Sequence, residues 1–207
     1  MNVVLYGASG KAGSRILREL ESRGHQVTAA ARNPEKIPTG IRTVRDDLSS
    51  VDRIAATIAG ADALVSAYGP PPGDTDALLG VTARQIEAAR RAGVPRLIVV
   101  GGAASLEVAP GVTLLESGHL PAPWLAIAAS HAKALELLRA SGINWTYFSP
   151  AGSFEPGERT GKFRLGNDSL IMDDKGQSRI SLEDYAIALV DELEKPAHEH
   201  ARFTIGY

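Results

Sequence analysis

Three glycines at intervals of three, Gly7, Gly10 and Gly13, follow the apolar run Val3-Val4-Leu5-Tyr6 and lead directly into an amphipathic segment. That pattern reads as strand, tight turn and helix start. In such a corner one glycine lets the chain turn sharply, one lets the backbone approach a pyrophosphate, and one lets the helix pack against the sheet. The backbone of Ser9, Gly10, Lys11 and Ala12, at the positive end of the helix dipole, is then placed to receive phosphates. The spacing is G-x-x-G-x-x-G rather than G-x-G-x-x-G, and glycines also collect in ordinary turns. The position of this group, after a strand and opening a helix, favours a dinucleotide. The P-loop pattern G-x-x-x-x-G-K-[ST] is absent, which argues against a nucleotide hydrolase of that type.

Other side chains could extend the site. About twenty positions past the glycines, where NAD enzymes carry an acid for the ribose 2′-hydroxyl, this chain has Arg32. A guanidinium there suits a 2′-phosphate and so NADPH over NADH; a solvated loop arginine is the plainer alternative. Ala67-Tyr68-Gly69 opens a stiff proline-rich loop along which the nicotinamide half of a cofactor could pass, with Tyr68 stacking. Gly101-Gly102 and Ser105 follow an apolar run at a carboxyl end, where ligands bind in open α/β sheets. Ser105 could donate to a ligand or cap a helix. As a histidine, a residue type that ordinarily titrates near working pH, His131 could act as a general acid, but it shares a helical face with Ile127 and Leu135, as a core histidine would. Lys133, two positions on, projects to another side. Arg159 and Arg164 could hold an anionic substrate such as the phosphate of FMN, or simply be solvated.

These groups need a frame, and the periodicity supplies one. Strands are expected at Gln26–Ala31, Ile41–Arg45, Asp62–Ala67, Arg96–Val100, Ile143–Ser149 and Arg202–Tyr207. Between them helical patterns run from the glycine corner to Gly24, from a Ser49 cap through Ile58, over about Asp74–Ala92, over Trp124–Ala140 and from Ser181 to about Glu194. Alternating strands and crossover helices signify an α/β fold, a Rossmann-type doubly wound parallel sheet with helices on both faces. The irregular stretch Leu106–Pro123 reads as a lid rather than a linker. Residues 151–180, rich in glycine and charge, read as a loop-rich substrate-side insertion within one domain spanning 1–207, with Phe154 among its candidate substrate contacts.

Composition narrows the partners. The 207 residues carry 22 basic and 24 acidic side chains, a formal charge of −2 that gives no electrostatic footprint for nucleic acid or an anionic membrane. Without cysteine there is no disulfide, thiolate nucleophile or Cys-based metal site, and no metal site of another kind is read from the sequence. No apolar run reaches membrane-spanning length and no signal peptide is evident, so the expectation is a cytoplasmic protein, monomer or homodimer, acting on a small molecule.

The chain resembles the atypical short-chain dehydrogenase/reductase group with NmrA-like, NAD(P)H-binding domains, which includes NADH-flavin reductase-like and biliverdin reductase B-like proteins. Carrying the likeness over nearly the whole length are Gly7–Gly13, Arg32-Asn33-Pro34, Asp47-Leu48, Val99–Ala103, Trp145–Ala151, Pro156–Gly161 and Ser181–Ala186. The resemblance implies that Asp47 and Leu48 flank an adenine and that Arg32 meets the 2′-phosphate. It further implies that Pro150 and Ala151 line a nicotinamide pocket and that Lys133 binds the nicotinamide ribose. It also exposes a departure: if Lys133 is the lysine of Y-x-x-x-K, the tyrosine position is Ala129. Alcohol dehydrogenation and sugar epimerisation need that proton relay; reduction of a flavin (FMN or FAD) or a quinone needs it less. The expected activity is therefore NAD(P)H-dependent reduction of a planar acceptor, with a non-catalytic NADP(H)-binding redox sensor as the alternative.

Overall fold

The computed structural model describes residues 1–207. Its centre is an eight-stranded sheet built from β1 (Asn2–Tyr6), β2 (Gln26–Ala31), β3 (Arg42–Arg45), β4 (Ala63–Ser66), β5 (Leu97–Val100), β8 (Trp145–Ser149), β10 (Arg164–Gly166) and β12 (Ala201–Gly206). The spatial order is β10-β12-β8-β5-β4-β1-β2-β3, and every neighbouring pair is parallel except β10 with β12. Five helices complete the wrapping: α1 (Lys11–Ser22), α2 (Val51–Ile58), α3 (Ala77–Ala92), α4 (Ala122–Arg139) and α5 (Leu182–Glu194). This is the expected Rossmann-like α/β fold. The order reverses between β1 and β4, so a crevice opens beyond their carboxyl ends.

Burial on both faces explains the unbroken apolar strands. On one face α1 and α5 cover a core with Leu5, Ile16, Leu17, Leu20, Phe148, Tyr185 and Phe203. On the other, α2, α3 and α4 cover Val4, Tyr6, Ile54, Ile58, Leu64, Leu97 and Tyr147. Tyr185, Phe148 and Phe203 form a stack with centroid spacings of 4.1 and 3.9 Å. Glycines in the left-handed region end the helices where expected, with Gly24, Gly93 and Gly142 at φ 77°, 64° and 70°.

Several local expectations are corrected. Ser50, not Ser49, caps α2 by accepting from the Arg53 amide; Ser49 instead donates its hydroxyl to Asp47 at 2.6 Å. The stretch 106–123, expected as a lid, is tied to the body by backbone pairing. It forms a hairpin of β6 (Glu107–Ala109) and β7 (Val112–Thr113), and Glu107 exchanges backbone bonds of 2.8 Å with Asp168 and Leu170. Residues 151–180 carry short strands among their loops, as their composition suggested. There β9 (Ser153–Glu155) pairs with β11 (Arg179–Ser181), while β10 extends the main sheet. The Asp184 carboxylate clamps the intervening loop, accepting from Thr160, Gly161 and Tyr207.

Candidate functional site

The glycine corner behaves as its sequence suggests. Gly7, at φ +80°, turns the chain away from β1; a Cβ there would lie 2.2 Å from the Ala67 carbonyl oxygen of the neighbouring strand end. A Cβ on Gly13 would lie 2.1 Å from the Gly7 carbonyl oxygen, so this glycine sets how closely α1 approaches the turn. Gly10 is different: exposed, extended and the N-cap of α1, its added Cβ would meet only the Gly7 oxygen, at 3.1 Å. No side chain caps α1 and no acid sits in its first turn, which leaves its first amides free for an anion.

A cleft of about 430 Å³ runs from this corner across the ends of β1, β2, β4 and β5. Gly7, Ser9, Gly10, Lys11 and Ala12 line it at the glycine corner, Arg32, Asp47 and Leu48 at one end, and Ala67, Tyr68, Gly69, Gly101, His131 and Phe154 towards the other. Arg32 and Lys11 are exposed on its rim. Arg32 has no acidic partner, and its carbonyl is held by Arg45 at 2.9 Å. Asp47 is exposed, with its carboxyl held below the usual range chiefly by the Ser49 hydroxyl.

The sequence reading missed Asp46. Buried at 2% exposure, it accepts from the Tyr6 hydroxyl at 2.7 Å and the Leu48 amide at 2.8 Å. Those bonds, with Arg84 donating to the Leu48 carbonyl at 2.6 Å, hold Leu48 at an uncommon positive φ of 62°. The tandem Asp46-Asp47 was a visible signal. Which acid turns inward depends on Tyr6, forty residues earlier.

At the other end Tyr147 is fully buried, and its ring fills the space a Cβ on Gly101 would need, 2.3 Å away. The Tyr147 hydroxyl donates to the His131 carbonyl and accepts from the Gly102 amide, each at 3.0 Å. His131 Nδ1 lies 3.2 Å from the same hydroxyl, and Nε2 has no protein partner. Surrounding protein lowers the His131 pKa to about 4, so the ring is neutral near pH 7. The residue is neither a plain core histidine nor an ordinary general acid.

Other expected residues are placed elsewhere. Lys133 is exposed and outside the cleft lining, because α4 turns it away from the side that carries His131. Of α4 only His131 lines the cleft; the positions four residues before His131 and Lys133 are Ile127 and Ala129, both half-buried outside that lining. No tyrosine stands at either register. Ser105 is half-buried away from the cleft, where its hydroxyl and carbonyl oxygens accept from Arg202 at 3.1 and 2.9 Å; it is neither a helix cap nor a cleft donor. Arg159 pairs with Glu19 at 2.9 Å, and Arg164 donates to the Met172 carbonyl at 2.7 Å and to that of Tyr207. Both are committed within the fold. Pro150 and Ala151 lie buried just past β8, and Phe154 is the side chain of that segment which reaches the cleft.

A family model for NAD(P)H-binding proteins matches residues 7–196. The chain belongs to this NAD(P)H-binding family. Among relatives, the "Uncharacterized protein YwnB" of Bacillus subtilis is 40% identical over 99% of this chain and 98% of its own length. A solved structure from Bacteroides thetaiotaomicron, described as a "putative epimerase", is 43% identical with TM-score 0.94, covering 100% of this chain and 96% of that one. Another, from Streptococcus pneumoniae, described as a "putative NADH-flavin reductase", is 34% identical with TM-score 0.88, covering 100% and 99%. The matched segment contains the glycine corner, Arg32, Asp46 and His131, so this NAD(P)H-binding domain includes every residue that lines the cleft except Tyr6. No helix is long and apolar enough to cross a membrane.

Proposed function

We propose that the protein is an NADPH-dependent reductase of a planar acceptor such as a flavin or a quinone. The observation that carries the reading is the pairing of a phosphate-ready corner with a far end that lacks a tyrosine–lysine proton relay. The residues fit the cofactor. The free amides of Lys11 and Ala12 would hold the diphosphate, and Arg32, unpaired on the rim, would meet a 2′-phosphate. The turn Asp46–Leu48 would bound the adenine, and His131, through Nε2, would hydrogen-bond a hydroxyl or amide at the nicotinamide end. Bound NADPH supplies a hydride.

What the chain contributes is orientation and exclusion of water. Tyr147 and Gly102 fix the imidazole, while Val100, Gly101 and Phe154 give a low-polarity wall on which a flat ring can lie. A flavin or quinone that takes up a hydride draws its balancing proton from water, so no protein acid is required. Epimerisation, suggested by the Bacteroides relative, would need a group at Ile127 or Ala129 that moves a proton, and neither side chain can. The test is steady-state NADPH oxidation with FMN, FAD and menadione in turn. Turnover with at least one supports the reading. Tight NADPH binding without turnover on any would favour the redox sensor.

A further inference from the structure

The inward stripe of α4 continues beyond the body of the protein and ends on a tryptophan with little beneath it. Trp124, Ile127, His131, Leu135 and Leu138 follow spacings of three, four, four and three, which place them on one side of the helix. Leu135 and Leu138 are buried at 1% and 0% exposure, Ile127 is half-buried, and His131 reaches the cleft. Trp124 shares their direction yet is 61% exposed.

The reason lies in the stagger of two helices. Ser130 donates to Asp76, the N-cap of α3, at 3.2 Å. Residues 122–129 of α4 therefore extend past the start of α3, an overhang of about 12 Å. Trp124 stands two turns, about 10 Å, from His131 along that overhang. Leu125, also exposed, points about 100° away and does not share the stripe.

We propose that Trp124 is the acceptor-docking residue of the cleft, stacking on a planar, conjugated ring whose inner edge reaches the His131 end. The proposal rests on the reductase reading and names the residue that selects its substrate class. A planar small molecule is the occupant because Trp124, itself outside the cleft lining, stands on the same side of α4 as His131, the residue of that side which lines the cleft. An indole face matches a flat π-system better than an aliphatic or sugar substrate.

Calorimetry tests this without turnover. FMN and menadione are titrated into the NADP⁺-saturated and cofactor-free protein, into Trp124→Ala and into Trp124→Phe. The alanine variant should weaken both ligands by about three- to tenfold, with the phenylalanine variant recovering most of that, while NADP⁺ affinity stays within about twofold. Unchanged ligand affinity in Trp124→Ala overturns the proposal, and so does failure of the wild-type protein to bind either ligand. Unchanged ligand affinity with loss of a dimer in sedimentation also overturns it and makes Trp124 a contact between copies. If NADP⁺ does not bind but both ligands do, and depend on Trp124, the docking assignment survives and the reductase reading falls.

Discussion

Arg32 gives the sharpest test of cofactor choice. It is exposed on the cleft rim, unpaired with any acid, and its main chain is fixed by Arg45, whose own guanidinium lies 3.6 Å from Glu35. Lys11 is the other cation lining the cleft, but it sits at the first helical turn beside the diphosphate corner. On the proposed reading Arg32 would be the group to meet a 2′-phosphate. A hydrogen bond to a charged group contributes about 1.5–3 kcal/mol, and the solvent exposure of the rim places Arg32 near the lower end. Arg32→Gln should then weaken NADPH by about ten- to thirtyfold and NADH by no more than about twofold. Arg32→Asp should add repulsion and invert the preference towards NADH. Fluorescence titration of both reduced cofactors, repeated at high salt, reads the effect; salt should narrow the wild-type preference. An equal loss for NADPH and NADH in Arg32→Gln would refute the assignment.

The glycine corner separates binding from folding. Gly10→Ala, whose added methyl meets one oxygen at 3.1 Å, should keep a cooperative melt while cofactor affinity falls; Gly13→Ala, facing an oxygen at 2.1 Å, should lower stability by about 1–3 kcal/mol or more. Urea unfolding beside cofactor titration distinguishes them. For His131, burial lowers the folded pKa to about 4 from an ordinary 6.5, so its stabilising contribution is complete above pH 6.5 and is lost as pH falls towards 4. Over that window wild-type stability should drop by on the order of 2–3 kcal/mol more than that of His131→Gln. Equal slopes in urea melts from pH 7 to 4.5 would contradict this. At the opposite end of the sheet, buried Arg96 pairs with Glu192, which also accepts from the amides of Ala197 and His198. Glu192→Gln should cost about 3–5 kcal/mol in urea melts without changing NADPH affinity, since the pair is remote from the cleft.

The parts legible in the sequence are those whose cause is local. A strand, three glycines and a helix start occupy consecutive residues, so spacing alone specifies the turn, the free amides and the close packing around Gly7, Gly10 and Gly13. Alternation of apolar runs with helical periodicity likewise determined the doubly wound sheet, because each element's buried face is written in its own residues. The resemblance added the expected cofactor contacts and pointed to Ala129 and Lys133 on α4, whereas the α4 residue that lines the cleft is His131.

Tertiary structure decided the rest, and in each case through partners distant in the chain. Asp46 rather than Asp47 turns inward because Tyr6 waits for it. His131 rather than Lys133 faces the cleft because α4 is rotated to bury Leu135 and Leu138, and Tyr147, sixteen residues on, then orients the ring. Ser105, Arg159 and Arg164 are drawn away by Arg202, Glu19 and the carbonyls of Met172 and Tyr207. A polar side chain is free for a ligand only when nothing in the fold already satisfies it. That condition is set by contacts across the sheet, which no local pattern records.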